Sequence, residues 1–229
     1  MSGLINLVRL VETKWITNGN TAVQSLRPTP SFKINNYQHI TFMEKQLNMK
    51  RVAVLATNGF EQSEFKKPIK ALKNEGFLVD VISLKKGKIK GWKNTKWGNS
   101  FKVDLTINQA LSANYDMLVL PGGVLNTDTL RKNELAVRFV SEFLEQKKPV
   151  GAICHAGSVL IETGLIKGKR LTSYKSIKTD LINAGAEWQD AEVVVDDKLI
   201  TSRCPDDLPA FCKSLIEEVK KGIPAGLQE

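Results

Sequence analysis

From Lys50 onward the chain alternates short apolar runs with segments of helical period, and few folds accept that alternation. The runs "RVAVLAT", "FLVDVISL", "YDMLVLPGG" and "PVGAIC" read as strands that are apolar on both faces. Strands of that kind belong to a mostly parallel sheet covered by helices on each side. Between them, "EQSEFKKPIKALKNEG" reads as a helix ending at Gly76, and "TDTLRKNELAVRFVSEFLEQKK" as a single long helix. Shorter helices are expected over "HAGSVLIETGL", "SIKTDLINAG" and "DDLPAFCKSLIEEVKKG". The glycine-bearing stretch "KGKIKGWKNTKWGNSFKVDLTI" alternates like a β-hairpin excursion, and "AEVVVDDKLITSR" like a second hairpin. The expected fold is an α/β three-layer sandwich, flavodoxin-like, with a small hairpin appended. At 229 residues there is room for one such domain and an extension.

The boundaries follow from where the pattern starts and stops. Residues 1–48 are rich in Asn, Thr and Ser, contain "RPTP" and sustain neither period, so they are expected to be a poorly ordered extension. Residues 49–224 hold the domain, and 225–229 a tail. The first 50 residues carry +4 of the net charge of +9, which leaves the remainder only mildly basic. The local cluster "LKKGKIKGWKNTK" reads as a solvated hairpin edge ahead of a polyanion patch, so nucleic acid is not the expected partner. No apolar stretch approaches the roughly 20 residues of a membrane span, and the opening "MSGLINLVRLVETKW" is too broken by charge for a secretory core. Three cysteines without CxxC spacing argue for a reducing compartment, here the cytoplasm, with no disulfide framework and no structural zinc.

In doubly wound sheets, ligands sit at the carboxyl ends of the strands, which makes "TNGFE", "PGG" and "CHAG" the candidate site. Cys154 falls where a strand turns into a helix, resembling a nucleophile elbow. The N-terminus of the following helix is expected to lower its thiol pKa. The backbone N–H groups of His155 and of Gly123 are candidate oxyanion donors. His155 needs an acidic partner to act as base or orienter, and Glu61, Glu64 and Asp128 are the carboxylates on strand-end loops. Glu61 reads equally well as an acid complementing the helix dipole.

Together "RVAVLATNGFEQSE", "DMLVLPGG", "KPVGAICHAG", "TSYKSIKTDLINAGAEWQDAEVVVDDKLITSR" and "PDDLPAF" resemble the PfpI family of intracellular cysteine proteases and protein deglycases, in the class I glutamine amidotransferase-like superfamily. The resemblance covers residues 50–222 and implies Cys154 as nucleophile, His155 as its neighbour and Glu61 as the acid touching sulfur. It implies Gly123 and His155 as oxyanion donors, and Asp128, contributed across a homodimer or trimer-of-dimers interface, as the acid orienting the histidine. It further implies a cysteine hydrolase needing no cofactor and no metal, acting on dicarbonyls or glycated proteins, with peptide hydrolysis ranked below. The alternative from another class is a holdase or redox sensor using Cys154 oxidation. Two departures stand out: Ala156-Gly157 after the Cys-His pair, where many members have Gly-Pro, and Cys204 between Arg203 and Pro205.

Overall fold

A computed structural model describes residues 49–221; the expected extension over 1–48 and the tail over 225–229 lie outside the described residues. The central sheet has seven strands in the order β10-β11-β7-β6-β1-β2-β5. These are β1 (Arg51–Leu55), β2 (Leu78–Ser83), β5 (Leu105–Thr106), β6 (Met117–Leu120), β7 (Val150–Ile153), β10 (Val193–Asp196) and β11 (Leu199–Ser202). All neighbours are parallel except β10 and β11, the hairpin expected over "AEVVVDDKLITSR". The excursion is present as an antiparallel pair, β3 (Lys88–Lys93) and β4 (Lys96–Lys102). A third, two-stranded sheet pairs β8 (Arg170–Leu171) with β9 (Glu187–Trp188).

Period-two alternation divides the core between the two faces. Ala53, Leu55, Leu118, Leu120, Val150 and Ala152 face one helical layer: α2 (Val124–Arg131), α3 (Glu134–Glu145), α4 (Gly157–Glu162) and α5 (Lys178–Asn183). Val52, Val54, Met117, Val119 and Ile153 face the other, α1 (Gln62–Asn74) and α6 (Leu208–Lys220). Gly151 lets α6 close on the sheet, since a Cβ there would stand 2.3 Å from a Leu215 methyl.

The single long helix expected over "TDTLRKNELAVRFVSEFLEQKK" is two. The chain leaves the helix at Lys132, and the Asn133 side chain accepts the Ala136 N–H at 3.0 Å, capping α3. An asparagine that satisfies an orphan N–H competes well with one more helical turn. Among the described residues no helix is long and apolar enough to cross a membrane.

Candidate active site

Strands β7, β6 and β1 are neighbours, so their carboxyl ends open side by side. The loops "CHAG", "PGG" and "TNGFE" do converge. Asn126 staples two of them: buried, it accepts the Thr57 N–H at 2.7 Å and donates to the carbonyls of Pro121 (2.9 Å) and Gly122 (3.1 Å). Gly123 has φ +91°, and a Cβ there would stand 2.4 Å from the Gly59 carbonyl oxygen. Only glycine permits that approach. The hairpin is laced to the same loops, with Gly59 N–H donating to Lys90 O at 2.8 Å and Trp92 N–H to Phe60 O at 2.7 Å.

At the end of β7, Cys154 takes φ +63°, a left-handed conformation that a non-glycine residue adopts rarely and at some cost. Cys154–Ala156 form one turn of 3₁₀ helix leading into α4. The thiol is buried within a cavity of about 470 Å³ that Glu64, Trp92, Gly123, Leu125 and Tyr174 help to line. The His155 Nδ1 lies 3.1 Å from Sγ.

The acid beside the thiol is Glu64; Glu61, expected there, is engaged elsewhere. Its carboxylate caps α1, accepting from Ser63 N (2.5 Å), Ser63 Oγ (2.6 Å) and Glu64 N (3.1 Å). It lines the cavity, but its Oε2 serves as a helix cap. Glu64, three residues later, is fully buried. Its Oε2 accepts the Gly122 N–H at 2.9 Å, while Oε1 is buried without a partner of ordinary hydrogen-bond geometry. The two glutamates therefore separate by experiment. Glu61→Ala is expected to cost about 1 kcal/mol of stability as a lost cap, read by denaturant melting.

Burial, and secondarily the Glu61 charge, raise the Glu64 pKa to about 8. The carboxyl is therefore mostly protonated at pH 7. The helix-derived lowering expected for the thiol is outweighed. Burial pushes Cys154 up, and a charged Glu64 pushes it further, against the backbone N–H groups of His155 and Gly123, which pull it down. Two acids in one dry space cannot both ionise cheaply, so the pair titrates as a unit. With Glu64 neutral the repulsion disappears, and its proton is available to the sulfur. Burial also lowers the His155 pKa, so its imidazole is neutral at pH 7.

Asp128 is exposed on α2 and does not line the cavity. Within the chain the His155 Nε2 instead meets the Ser176 hydroxyl at 3.0 Å. Tyr174 stacks on the imidazole with ring centroids 4.8 Å apart and planes at 27°. Neither was singled out from the sequence, and nothing local in "SYKSIK" marks them, since they come from the loop after β8. Glu64 left a signal: Glu64, Phe65, Pro68 and Leu72 share the buried face of α1 at helical spacing. Among the described residues there is no group of three or more His, Cys, Asp or Glu side chains placed to hold a metal.

Known proteins share both sequence and fold with this chain. The model of the DJ-1/PfpI family matches residues 50–218. A Bacillus subtilis relative, YraA, named as a candidate cysteine protease, is 45% identical over 172 residues, 75% of this chain and 99% of its own. A deglycase of Pyrococcus horikoshii is 42% identical over 170 residues, 74% of this chain and 99% of its own. Among solved structures, Drosophila melanogaster DJ-1beta superposes with a TM-score of 0.68 at 30% identity, covering 76% of this chain and 97% of that one. This chain, with its cysteine at the elbow and its buried glutamate, belongs to the DJ-1/PfpI family.

Proposed function

We propose that the protein is a cysteine-dependent hydrolase acting on small dicarbonyls or on the early adducts they form with protein side chains. The observation that carries this reading is the buried Cys154–Glu64 pair at the elbow, with His155 Nδ1 3.1 Å from the sulfur. In this reading the sulfur attacks the aldehyde carbon of methylglyoxal. The S–C bond forms, and the carbonyl π electrons move to oxygen, which the N–H groups of Gly123 and His155 receive. The thiol proton passes to His155 Nδ1. Glu64 then gives its proton to the C2 oxygen, its carboxylate takes the C1 proton and returns it to C2, and the C1 oxygen re-forms a carbonyl, which leaves an α-hydroxy thioester. Water hydrolyses it to lactate and frees the thiol. The net change is addition of one water, so no external oxidant or reductant enters. Names of relatives support the class: besides those above, a relative of Escherichia coli named protein/nucleic acid deglycase 2 is 45% identical over 163 residues.

The cavity suits this better than peptide hydrolysis. Its volume of about 470 Å³ matches a small molecule or a modified side chain. The test follows lactate and glycolate formation from methylglyoxal and glyoxal, with a casein digest in parallel. Hydroxy acid formation without proteolysis is the expected result; release of peptides with no hydroxy acid would overturn it.

The same reading places self-association on the α2 face, where Val124 and Leu125 are both more than half exposed beside Asp128. Val124→Asp is expected to move the sedimentation coefficient to that of a single chain.

A further inference from the structure

We propose that Ser176 is the positioning residue of His155: its hydroxyl, on Nε2, keeps Nδ1 turned to the Cys154 sulfur and allows the ring to be neutral or charged in the course of a reaction. The proposal rests on Cys154 and His155 being the reactive pair.

The geometry has three parts. First, both ring nitrogens are engaged, Nδ1 with Sγ at 3.1 Å and Nε2 with the Ser176 Oγ at 3.0 Å. Second, Tyr174 covers one ring face, which leaves the imidazole little freedom to rotate. Third, the segment carrying both residues is tied to the elbow. Tyr174 N–H donates to the Cys154 carbonyl at 3.1 Å, and Ile177 N–H closes the 3₁₀ turn on Tyr174 O at 3.2 Å. On its other side, Trp188 Nε1 donates to Ser173 Oγ (3.0 Å), which itself donates to Tyr174 O (3.0 Å). On the His155 side, Ser158 Oγ holds the backbone carbonyl at 2.8 Å. The loop after β8 is thus a cradle for one imidazole.

What a hydroxyl does there differs from what a carboxylate would do. A serine oxygen both donates and accepts, whereas an ionised carboxylate only accepts. Toward a neutral ring with its proton on Nε2 the Ser176 oxygen accepts, which leaves the Nδ1 lone pair facing the thiol; toward the other tautomer the hydroxyl donates. Toward an imidazolium the hydroxyl oxygen goes on accepting from Nε2, so the ring gains and loses its Nδ1 proton without losing its anchor. A carboxylate at the same place would favour the imidazolium and raise the ring's pKa. The titratable groups against the ring are Cys154 from the elbow and Tyr174 from the cradle, and Glu61 and Glu64 from the α1 side line the same cavity. Lys175 is its exposed neighbour in that turn.

The test uses the full chain with Ser176→Ala, Ser176→Thr, Ser176→Asp and Asp128→Asn. Two readouts are independent of dicarbonyl turnover: the pH profile of Cys154 alkylation by iodoacetamide, and the NMR titration of the His155 ring, which has only His39 for company. Ser176 is exposed and water competes for its bond, so Ser176→Ala is expected to slow alkylation at pH 7 about three- to tenfold. Threonine should restore the rate. Ser176→Asp should move the ring titration to higher pH and the alkylation profile with it. Unchanged profiles in both Ala and Asp variants would overturn the proposal, as would a shift in Asp128→Asn that the Ser176 variants lack. Failure of methylglyoxal turnover with these shifts intact would refute the substrate class and leave the role of Ser176 standing.

Discussion

Replacing Cys154 with serine is expected to lower methylglyoxal turnover by at least about 10³-fold while the protein remains folded. The swap keeps size and burial, yet the oxygen nucleophile starts much further from ionisation than sulfur in the same buried space. The features that help the thiol do not rescue it: a neutral Glu64 donates a proton and cannot accept one, and the half-buried imidazole, its proton affinity lowered, is too weak a base for an alcohol. The measurement is lactate formation by wild type and variant at equal concentration, with circular dichroism on both. A variant that keeps turnover would remove the covalent reading. Suppression of client aggregation should survive the swap if it exists at all, which separates a thiol-independent holdase from the enzyme. A redox sensor would instead show wild-type oxidation at Cys154 with no turnover to lose.

Glu64→Gln is expected to lower turnover about 10²-fold, the usual scale for removing a general acid or base, and at the same time to stabilise the protein at alkaline pH. The sign follows from linkage. Glu64 has a folded pKa of about 8, above its ordinary 4.5. Between those values the folded state holds a proton that the unfolded state has released. Stability is therefore fully present below the unfolded value and is lost as pH rises through the folded one. Glutamine carries no charge to bury, so the variant should lose that slope and exceed wild type at pH 8 and above, by a margin on the order of a few kcal/mol. Its side-chain oxygen can still accept the Gly122 N–H, which keeps the loop in place. The check is melting temperature against pH for both proteins beside their turnover. A parallel slope in the variant would show that Glu64 is ionised in the wild type. Lower activity with higher stability would identify Glu64 as a buried acid kept for chemistry.

How much of this was legible in the sequence depends on distance along the chain. Cys154, His155 and the PGG turn announce themselves because each stands where a strand gives way to a turn, and sheet topology alone brings three such ends together. The glutamate was placed one helical turn too early. Glu61 and Glu64 are both acids near the start of α1, and the family resemblance was carried onto Glu61. The helical period could have separated them, for Glu64 shares a face with Phe65 and Leu72 while Glu61 precedes the first turn. The break at Lys132 escaped because Leu130 and Leu135 preserve an apolar rhythm across it, and only the cap by Asn133 shows that the helix restarts.

The sequence by itself determined the sheet, its two apolar faces and the thiol displayed at the end of β7, because those follow from local periodicity and from what strands must bury. Tertiary structure alone decided which carboxyl reaches the sulfur, that burial raises both proton affinities, and that a serine 21 residues downstream meets the histidine. The physical reason is desolvation and approach. A pKa depends on the water removed around a group, and a hydrogen bond on which loop the fold returns beside it, and neither quantity exists until the chain has closed around the site.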